Sequence, residues 1–294
     1  MRLRSILCRA WRQSSSRPWT STASLLLRSP ILIRASSSSP PCPGDGSRRP
    51  PPNNNDPTVE MNNLEVKDAA LIFGIVWNNL KVKYGEENLT FPRDIMWLSG
   101  APGAGKSLAS LFIKRLRGIT SDTIVISDLL KGAAVEAIKS SGKLVSDRVV
   151  IQLLLERLLQ PQYASGVLID GYPRTRVQAE CMKFLFDKMR ELGRKFEDIP
   201  DLHKYPRPIF HIMVLLVEED VSIERQLKRG RQVAVQNRLV QTTGVGDPML
   251  IRPTDIDPEL ARNRYKEFKE HVYNSLQAVK DKFHFHFIDS VSRL

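Results

Sequence analysis

The eight residues Gly100-Ala-Pro-Gly-Ala-Gly-Lys-Ser107 have the types and spacing needed to hold phosphate groups. Their glycines let the backbone bend so that successive N–H groups point at phosphate oxygens, and a following helix would add its positive end. Lys106 would reach the outer phosphates of a nucleotide, and the Ser107 hydroxyl would contact a magnesium ion. The loop lies between an apolar run, Ile95–Ser99, and a helical pattern, Leu108–Leu116, which is the context that this motif requires.

One acidic residue, Asp170, ends a second apolar run that begins at Gly166. In an open parallel sheet, ligands bind at the carboxyl ends of the strands. Asp170 would therefore lie beside the phosphate loop and hold the magnesium ion with Ser107, directly or through water. An acid at a strand end on its own more often caps a helix, and the neighbouring phosphate loop is what favours the metal role.

Five arginines in the second half of the chain could stabilise a migrating phosphoryl group: Arg174, Arg225, Arg229, Arg252 and Arg264. Such a group spreads negative charge over its oxygens, and fixed guanidinium groups can pair with that charge. Arg225 and Arg229 are four residues apart, so they share one helix face. A single arginine is more often a solvated surface residue, and these five converge only if the fold brings separate elements together.

Alternating strand and helix patterns predict the elements that would position these residues. Besides the strand before the phosphate loop, strands are expected at 122–127, 166–170, 209–217 and 283–288. Helices are expected at 129–138, 147–159, 178–192, 221–229 and 258–282, with 230–252 loop-like. The alternation predicts an α/β P-loop fold with three layers, in which a five-stranded parallel sheet lies between helices.

Composition and charge limit the classes of partner. The chain has 294 residues and a net charge of +12, but residues 1–56 hold nine arginines and two acids, which leaves +5 for the rest. The high pI therefore does not argue for nucleic-acid binding. The three cysteines, Cys8, Cys42 and Cys181, are too few for a disulfide framework or a four-cysteine zinc site. No apolar stretch approaches the length of a membrane span, so we expect neither nucleic acid nor membrane as a partner.

The N-terminal segment has the composition of a targeting sequence. Residues 1–44 contain no acid and many arginines and serines, which is typical of an organellar transit peptide, with a disordered basic tail as the alternative. Arginine richness favours the mitochondrion, whereas the serine run at 36–39 would also suit a chloroplast. A Pro- and Asn-rich stretch follows, so residues 1–56 are assigned to a transit peptide and disordered linker.

Residues 57–92 are assigned to an N-terminal helical extension. Apolar residues at helical spacing predict an amphipathic helix over 63–82. This helix would pack either on the core of the protein or on a partner, and the core is the expected site.

Four segments together resemble the adenylate kinase family of nucleoside monophosphate kinases. They are the phosphate loop, Gly142-Lys-Leu-Val-Ser-Asp147, Leu168-Ile-Asp-Gly-Tyr-Pro-Arg-Thr175 and the helix with Arg225 and Arg229. The similarity covers roughly Asp94 to Asp289, and the leader makes the chain look like an organellar member of the family from a plant.

The resemblance implies the reaction ATP + AMP ⇌ 2 ADP, with magnesium as the cofactor in the form of Mg-ATP, ATP and AMP as partners, and a monomeric protein. It implies ATP binding by Gly103, Ala104, Gly105, Lys106, Ser107 and Leu108, with Arg225 near the base and Arg229 on the phosphates. It implies AMP binding by Lys131, Lys143, Leu144, Val145, Gly171, Tyr172, Pro173, Arg174, Gln178, Arg252 and Arg264. In that site Arg174 would hold the AMP phosphate and Gln178 the adenine. The implied catalytic residues are Lys106, Arg174, Arg229, Arg252 and Arg264.

The family folds as a core with two moving flaps that exclude water from the transfer. Here the core would span 93–294, with an NMP flap at about 127–146 and a LID flap of intermediate length at about 230–252. Two departures concern the acceptor site: a threonine of the family pattern is missing at Ser127-Asp128, and Lys131 replaces an arginine, which loses the bidentate fork.

Three hypotheses follow, and the residues expected for phosphoryl transfer favour the first. The first is an active adenylate kinase, and the second is a kinase for UMP or CMP, which the shortened acceptor flap would suit. The third is a catalytically weak protein that senses ATP or AMP.

Overall fold

The computed structural model describes residues 57–131, 146–197 and 205–290, and it describes residues 57–63 by their backbone alone. The assigned transit peptide and linker lie outside these ranges. So do residues 132–145, which form most of the expected NMP flap and include Lys143, Leu144 and Val145.

Helices and strands alternate along the described chain. The strands are β1 (Asp94–Gly100), β2 (Ile124–Val125), β3 (Val167–Asp170), β4 (Ile209–Leu216) and β5 (His284–Asp289). The helices are α1 (Pro57–Tyr84), α2 (Lys106–Arg117), α3 (Ile126–Leu129), α4 (Asp147–Leu158), α5 (Arg176–Lys195), α6 (Glu219–Thr243), α7 (Pro258–Glu267) and α8 (Asn274–Gln277). Short 3-10 turns occur at Glu86–Asn88, Pro161–Tyr163 and Pro253–Asp255, and a π-helical stretch, Phe268–Tyr273, joins α7 to α8. Within the described ranges, no helix has both the length and the apolar character that crossing a bilayer requires.

The five strands form one parallel sheet in the order β2-β3-β1-β4-β5. β1 is the central strand, with Leu98 opposite Asp170 of β3 and Gly100 opposite Leu215 of β4. Because all strands run in the same direction, their carboxyl ends share one edge, where the phosphate loop and Asp170 follow neighbouring strands. The predicted five-stranded parallel sheet is confirmed, although β2 is shorter than the expected 122–127.

Successive residues of β1 point to opposite faces of the sheet and enter two separate cores. Ile95 and Trp97 pack with apolar residues of α1, α4 and α5. Met96 and Leu98 pack on the other face with apolar residues of α2 and α7. Burial on both faces explains why this strand is a continuous apolar run rather than an alternating one. The two helical layers give the predicted three-layer arrangement.

Helix α1 extends beyond the predicted 63–82 at both ends and covers one face of the sheet. Phe73, Val76, Trp77 and Leu80 are buried in the core of that face. The rings of Phe73 and Trp77 stack with centroids 5.7 Å apart, and Trp77 stacks on Phe91 at 5.9 Å. The helix is therefore part of the folded core, as expected.

The segment after Arg229 differs from the expectation. The helix predicted at 221–229 continues to Thr243 as α6, so the loop begins at Gly244 and not at Gly230. The loop then returns along α6, where the Asn237 side chain accepts from Met249 N–H at 2.7 Å and donates to its carbonyl at 2.8 Å. The expected LID segment is thus half helix and half returning loop.

The prediction of one long helix at 258–282 is also wrong in extent. The helical residues form α7, the π-helical stretch and α8 in succession, and they end at Gln277.

Candidate active site

The loop between β1 and α2 adopts a backbone conformation that glycine permits. Gly103 and Gly105 have φ angles of 72° and 82°, in the left-handed region that favours glycine. The Gly105 carbonyl accepts from the N–H groups of Leu108 and Ala109 at 3.1 and 3.0 Å, which starts α2. The first N–H groups of a helix have no partners within it, so this end of α2 suits an anion.

The ammonium group of Lys106 lies over the phosphate loop. Its Nζ donates to the carbonyl of Gly100 at 2.8 Å and to that of Ala101 at 3.1 Å. These carbonyls hold the cation beside the loop, and its contact with the outer phosphates stays a prediction.

Cations from separate segments gather around this lysine and Asp170: Arg174, Arg229, Arg252 and Arg264. Their proximity acts on the pKa values of the cluster. Burial lowers the pKa of Lys106 to about 8; Asp170 opposes this shift, and three of the arginines add to it. Burial also lowers the pKa of Arg264, and Arg252 and Arg229 lower it further. The fold therefore brings four of the five predicted arginines, from separate elements, close enough to act on the pKa of Lys106, Asp170 or Arg264.

Asp170 ends β3 as a half-buried carboxylate. Its Oδ1 is buried and has no hydrogen-bond partner among the described residues. Burial raises the pKa of this carboxyl group, while Lys106 opposes the shift. An unpartnered buried carboxylate oxygen beside the phosphate loop suits a hard divalent cation, and the exposed Ser107 hydroxyl is the expected second ligand. The described chain holds no group of three His, Cys, Asp or Glu that could bind a metal by itself, so magnesium would take further ligands from phosphates and water.

The turn that follows Arg252 holds two other arginines. Arg229 donates from Nε to Asp255 Oδ2 at 2.8 Å and from Nη2 to Asp255 Oδ1. Arg264 donates from Nη1 to Thr254 Oγ1 at 3.1 Å. The carbonyl of Arg252 accepts from the N–H of Asp255 at 2.9 Å, which closes the turn. One short segment therefore carries Arg252 and forms hydrogen bonds with Arg229 and Arg264, so it links three of the predicted catalytic arginines.

The loop after β3 presents Arg174 from a buried base. The peptide bond between Tyr172 and Pro173 is cis, and both side chains are buried. The Tyr172 hydroxyl donates to the Gln178 carbonyl at 2.9 Å. Arg174 is exposed, and its Nε donates to the carbonyl of Gly171 at 3.1 Å. Tyr172 and Pro173 thus support the loop, and Arg174 is the side chain available to a ligand.

Gln178, expected at the adenine of AMP, is only 4% exposed. Its Oε1 accepts from the backbone N–H of Arg174 at 2.8 Å, and its Nε2 donates to Asp147 Oδ1 at 2.8 Å. Asp147 Oδ2 accepts from the Thr175 hydroxyl at 3.0 Å. Both ends of the Gln178 amide are therefore occupied within the protein, and its contact with a base stays a prediction.

Helix α6 packs directly on the phosphate loop. The fully buried Ser222 donates from Oγ to the carbonyl of Pro102 at 2.7 Å. A Cβ atom at Gly103 would lie 2.8 Å from the Ser222 carbonyl oxygen. Arg225 donates to Gly103 O at 3.4 Å and to Ser290 O at 2.9 Å, which joins the loop to the chain after β5. The predicted contact of Arg225 with the ATP base is not tested by these bonds.

Some of the predicted site residues make contacts elsewhere or provide packing. Lys131 is exposed and forms a 2.5 Å ion pair with Asp128. Ala104 is buried and Leu108 is half-buried, so both contribute mainly through the backbone.

Sequence reasoning missed the supporting roles of Asp147, Ser222 and Asp255. An acid three residues after Arg252 was the one visible signal for Asp255. Asp147 ends one of the four segments that carry the family resemblance, but its sequence context does not indicate its bond to Gln178, and Ser222 carries no signal in the sequence.

No known family model matches the chain. Two solved structures to which it is similar are a gluconokinase from Sinorhizobium meliloti 1021 and the deoxyadenosine kinase from M. mycoides with bound dATP. The first is 17% identical, with 69% of this chain and 86% of that chain covered and a TM-score of 0.32. The second is 15% identical, with 66% and 90% covered and a TM-score of 0.31. Similarity at this level does not carry an activity over to the present chain, so its function rests on its own site.

Proposed function

We propose that this protein is an ATP-dependent nucleoside monophosphate kinase that catalyses ATP + AMP ⇌ 2 ADP by direct in-line transfer. The supporting observation is the gathering of Arg174, Arg229, Arg252 and Arg264 with Lys106 around one edge of the sheet. Phosphate binding alone needs the loop and the lysine. Four further cations from other segments are expected where negative charge spreads over a phosphoryl group in transit.

Each part of the site has a role in this reaction. The N–H groups of the loop and the Lys106 ammonium hold the outer phosphates of ATP, with Arg229 beside them. Arg174 holds the phosphate of the acceptor, and Arg252 and Arg264 contact the transferring group. Because Arg229 and Arg264 are already hydrogen-bonded to Asp255 and Thr254, these two guanidinium groups need little reorganisation during the transfer. Magnesium held by Asp170 and Ser107 would neutralise charge on the phosphate oxygens.

A kinase that phosphorylates UMP or CMP is the second candidate. The observation that favours it is the amide of Gln178, which is bonded at both ends and does not stand free to contact adenine. A nucleotide-sensing protein with little catalytic activity is the third candidate, and the cation cluster argues against it.

A panel of nucleoside monophosphates, each assayed with Mg-ATP for production of diphosphate, separates these candidates. We expect AMP to give the highest turnover. A higher turnover with UMP or CMP would replace the first candidate with the second. Formation of no diphosphate from any acceptor would remove the kinase assignment and leave the sensor.

Replacement of Lys106 tests whether the kinase activity arises at the phosphate loop. Lys106→Met is expected to lower kcat by about 10²–10³-fold, because it removes a charge aimed at the transferring phosphates. Lys67→Met removes an exposed lysine of α1 and should leave kcat unchanged. Equal activity of Lys106→Met and the wild type would place the reaction elsewhere.

A further inference from the structure

A carboxylate, Asp255, lies within the proposed phosphate-binding cluster. It is only 5% exposed and pairs with the guanidinium of Arg229. A buried negative charge at this place repels the phosphates that the surrounding arginines are proposed to bind. We therefore expect Asp255 to make a contribution to the site that offsets this repulsion.

The geometry of the pair indicates that role. Asp255 accepts from Nε and Nη2 of Arg229, a bidentate arrangement that fixes the plane of the guanidinium as well as its position. A guanidinium has five N–H donors, and this pair uses two of them. The side chain of Arg229 remains 40% exposed, so its other donors can reach a ligand.

The backbone that carries Asp255 is itself fixed against α6. A Cβ atom at Gly230 would lie 2.0 Å from the Asp255 carbonyl oxygen, so the turn approaches the helix at a distance that glycine alone allows. The same turn carries Thr254, which accepts from Arg264 at 3.1 Å. The close packing of the turn therefore fixes the position of Asp255, and Asp255 fixes the position of the Arg229 guanidinium.

We propose that Asp255 is a positioning residue for phosphoryl transfer, which orients Arg229 for the transition state and weakens binding of ATP in the ground state. This inference rests on the proposed kinase function. A purely structural ion pair, which would only join the turn to α6, is the competing explanation and predicts different kinetics.

Two matched variants separate these explanations: Asp255→Asn and Asp257→Asn. Both remove one negative charge from the same segment without a change in size. Asp257 caps α7 by accepting from Glu259 N–H and Leu260 N–H at 2.7 and 3.3 Å, and asparagine caps a helix equally well. The measurements are kcat, the KM for ATP, the dissociation constant for ATP and the thermal unfolding curve.

Asp255→Asn is expected to lower kcat by about 30- to 100-fold, because one preorganised donor loses its orientation. Its dissociation constant for ATP should fall by about two- to fivefold, because a repulsive charge is gone. Asp257→Asn should leave both values within about twofold of wild type. The inference is overturned if folded Asp255→Asn keeps kcat within about threefold of wild type, or if it binds ATP more weakly.

A double-mutant cycle tests whether Asp255 acts through Arg229. Lysine cannot form the bidentate pair, so in the Arg229→Lys background Asp255→Asn should change kcat by no more than about threefold. Fully multiplicative losses would contradict the inference. If Asp255→Asn does not fold, Asp255→Glu keeps the charge and displaces the carboxylate, and it should show the same fall in kcat. A wild-type kcat in Asp255→Glu would then overturn the inference.

The cycle also distinguishes failure of this inference from failure of the proposed function. If the wild type transfers phosphate to no monophosphate, the kinase assignment fails while ATP binding can still be measured. Tighter ATP binding by Asp255→Asn in both the wild-type and the Arg229→Lys backgrounds would still support direct repulsion of the phosphates by Asp255. Unchanged or weaker ATP binding in both backgrounds would reject it.

Discussion

At the scale of single residues, the proposed site depends on side chains and backbone groups that are held before any ligand arrives. Lys106 rests on two loop carbonyls, and Arg229 and Arg264 are bonded to one turn. Such prior placement is what phosphoryl transfer requires, since the protein contributes position and charge rather than covalent chemistry.

Gly103 shows how little space the loop allows. Its φ of 72° disfavours a side chain, and a Cβ atom there would lie only 2.8 Å from the Ser222 carbonyl oxygen. Gly103→Ala is therefore expected to lower ATP affinity by at least about tenfold and stability by about 1–3 kcal/mol. Isothermal titration with ATP and urea unfolding measure the two effects.

The control for this substitution is Gly74→Ala, at an exposed helical glycine where a Cβ atom would have no neighbour within 4 Å. This variant should gain about 0.5–1 kcal/mol and bind ATP normally. A Gly103→Ala protein that matches the wild type in ATP affinity would show that the loop has room to adjust.

At the scale of elements, α1 contributes to the core that supports β1. Trp77 lies between Phe73 and Phe91 with ring centroids 5.7 and 5.9 Å away. Trp77→Ala should lower the free energy of unfolding by about 3–5 kcal/mol, because it leaves a cavity under the sheet. Leu71→Ala on the same helix, where the side chain is 66% exposed, should change it by less than about 0.5 kcal/mol. Similar values for the two variants in urea unfolding would mean that α1 is not part of the cooperative core.

The elements that sequence predicted best are those determined by local pattern. β1, β3 and β4 are apolar runs between turn residues, and the phosphate loop has its glycines at fixed spacing. These four elements could therefore be predicted without knowledge of distant contacts. β2 was overestimated because the chain turns into α3 directly after Val125, although Ile126 continues the apolar run.

The elements that sequence missed depend on contacts between distant residues. The predicted helix ends at Arg229, but α6 continues through Gly230, where the backbone of Asp255 packs closely against it. The roles of Asp255 and Asp147 could not be predicted for the same reason, since each pairs with a residue more than twenty positions away.

At the scale of the whole molecule, the parallel sheet is what makes the site possible. It places the carboxyl ends of its strands at one edge, so the phosphate loop and Asp170 are neighbours although they are far apart in sequence. Burial lowers the pKa values of Lys106 and Arg264, and repulsion from the neighbouring arginines lowers them further. Phosphate groups would relieve this repulsion, which couples ligand binding to the stability of the site.

The most direct test of the central claim is the binding of one molecule in which two adenosines are joined through five phosphates. Such a molecule can occupy the donor and acceptor sites together only if the arginines converge on one phosphoryl group. We predict a one-to-one complex with a Kd at least about 10²-fold below that for ATP, because the second contact becomes intramolecular. Arg174→Ala and Arg229→Ala, on the acceptor and donor sides, should each raise this Kd by about tenfold or more. A Kd no lower than that for ATP, or one that neither substitution changes, would contradict the account.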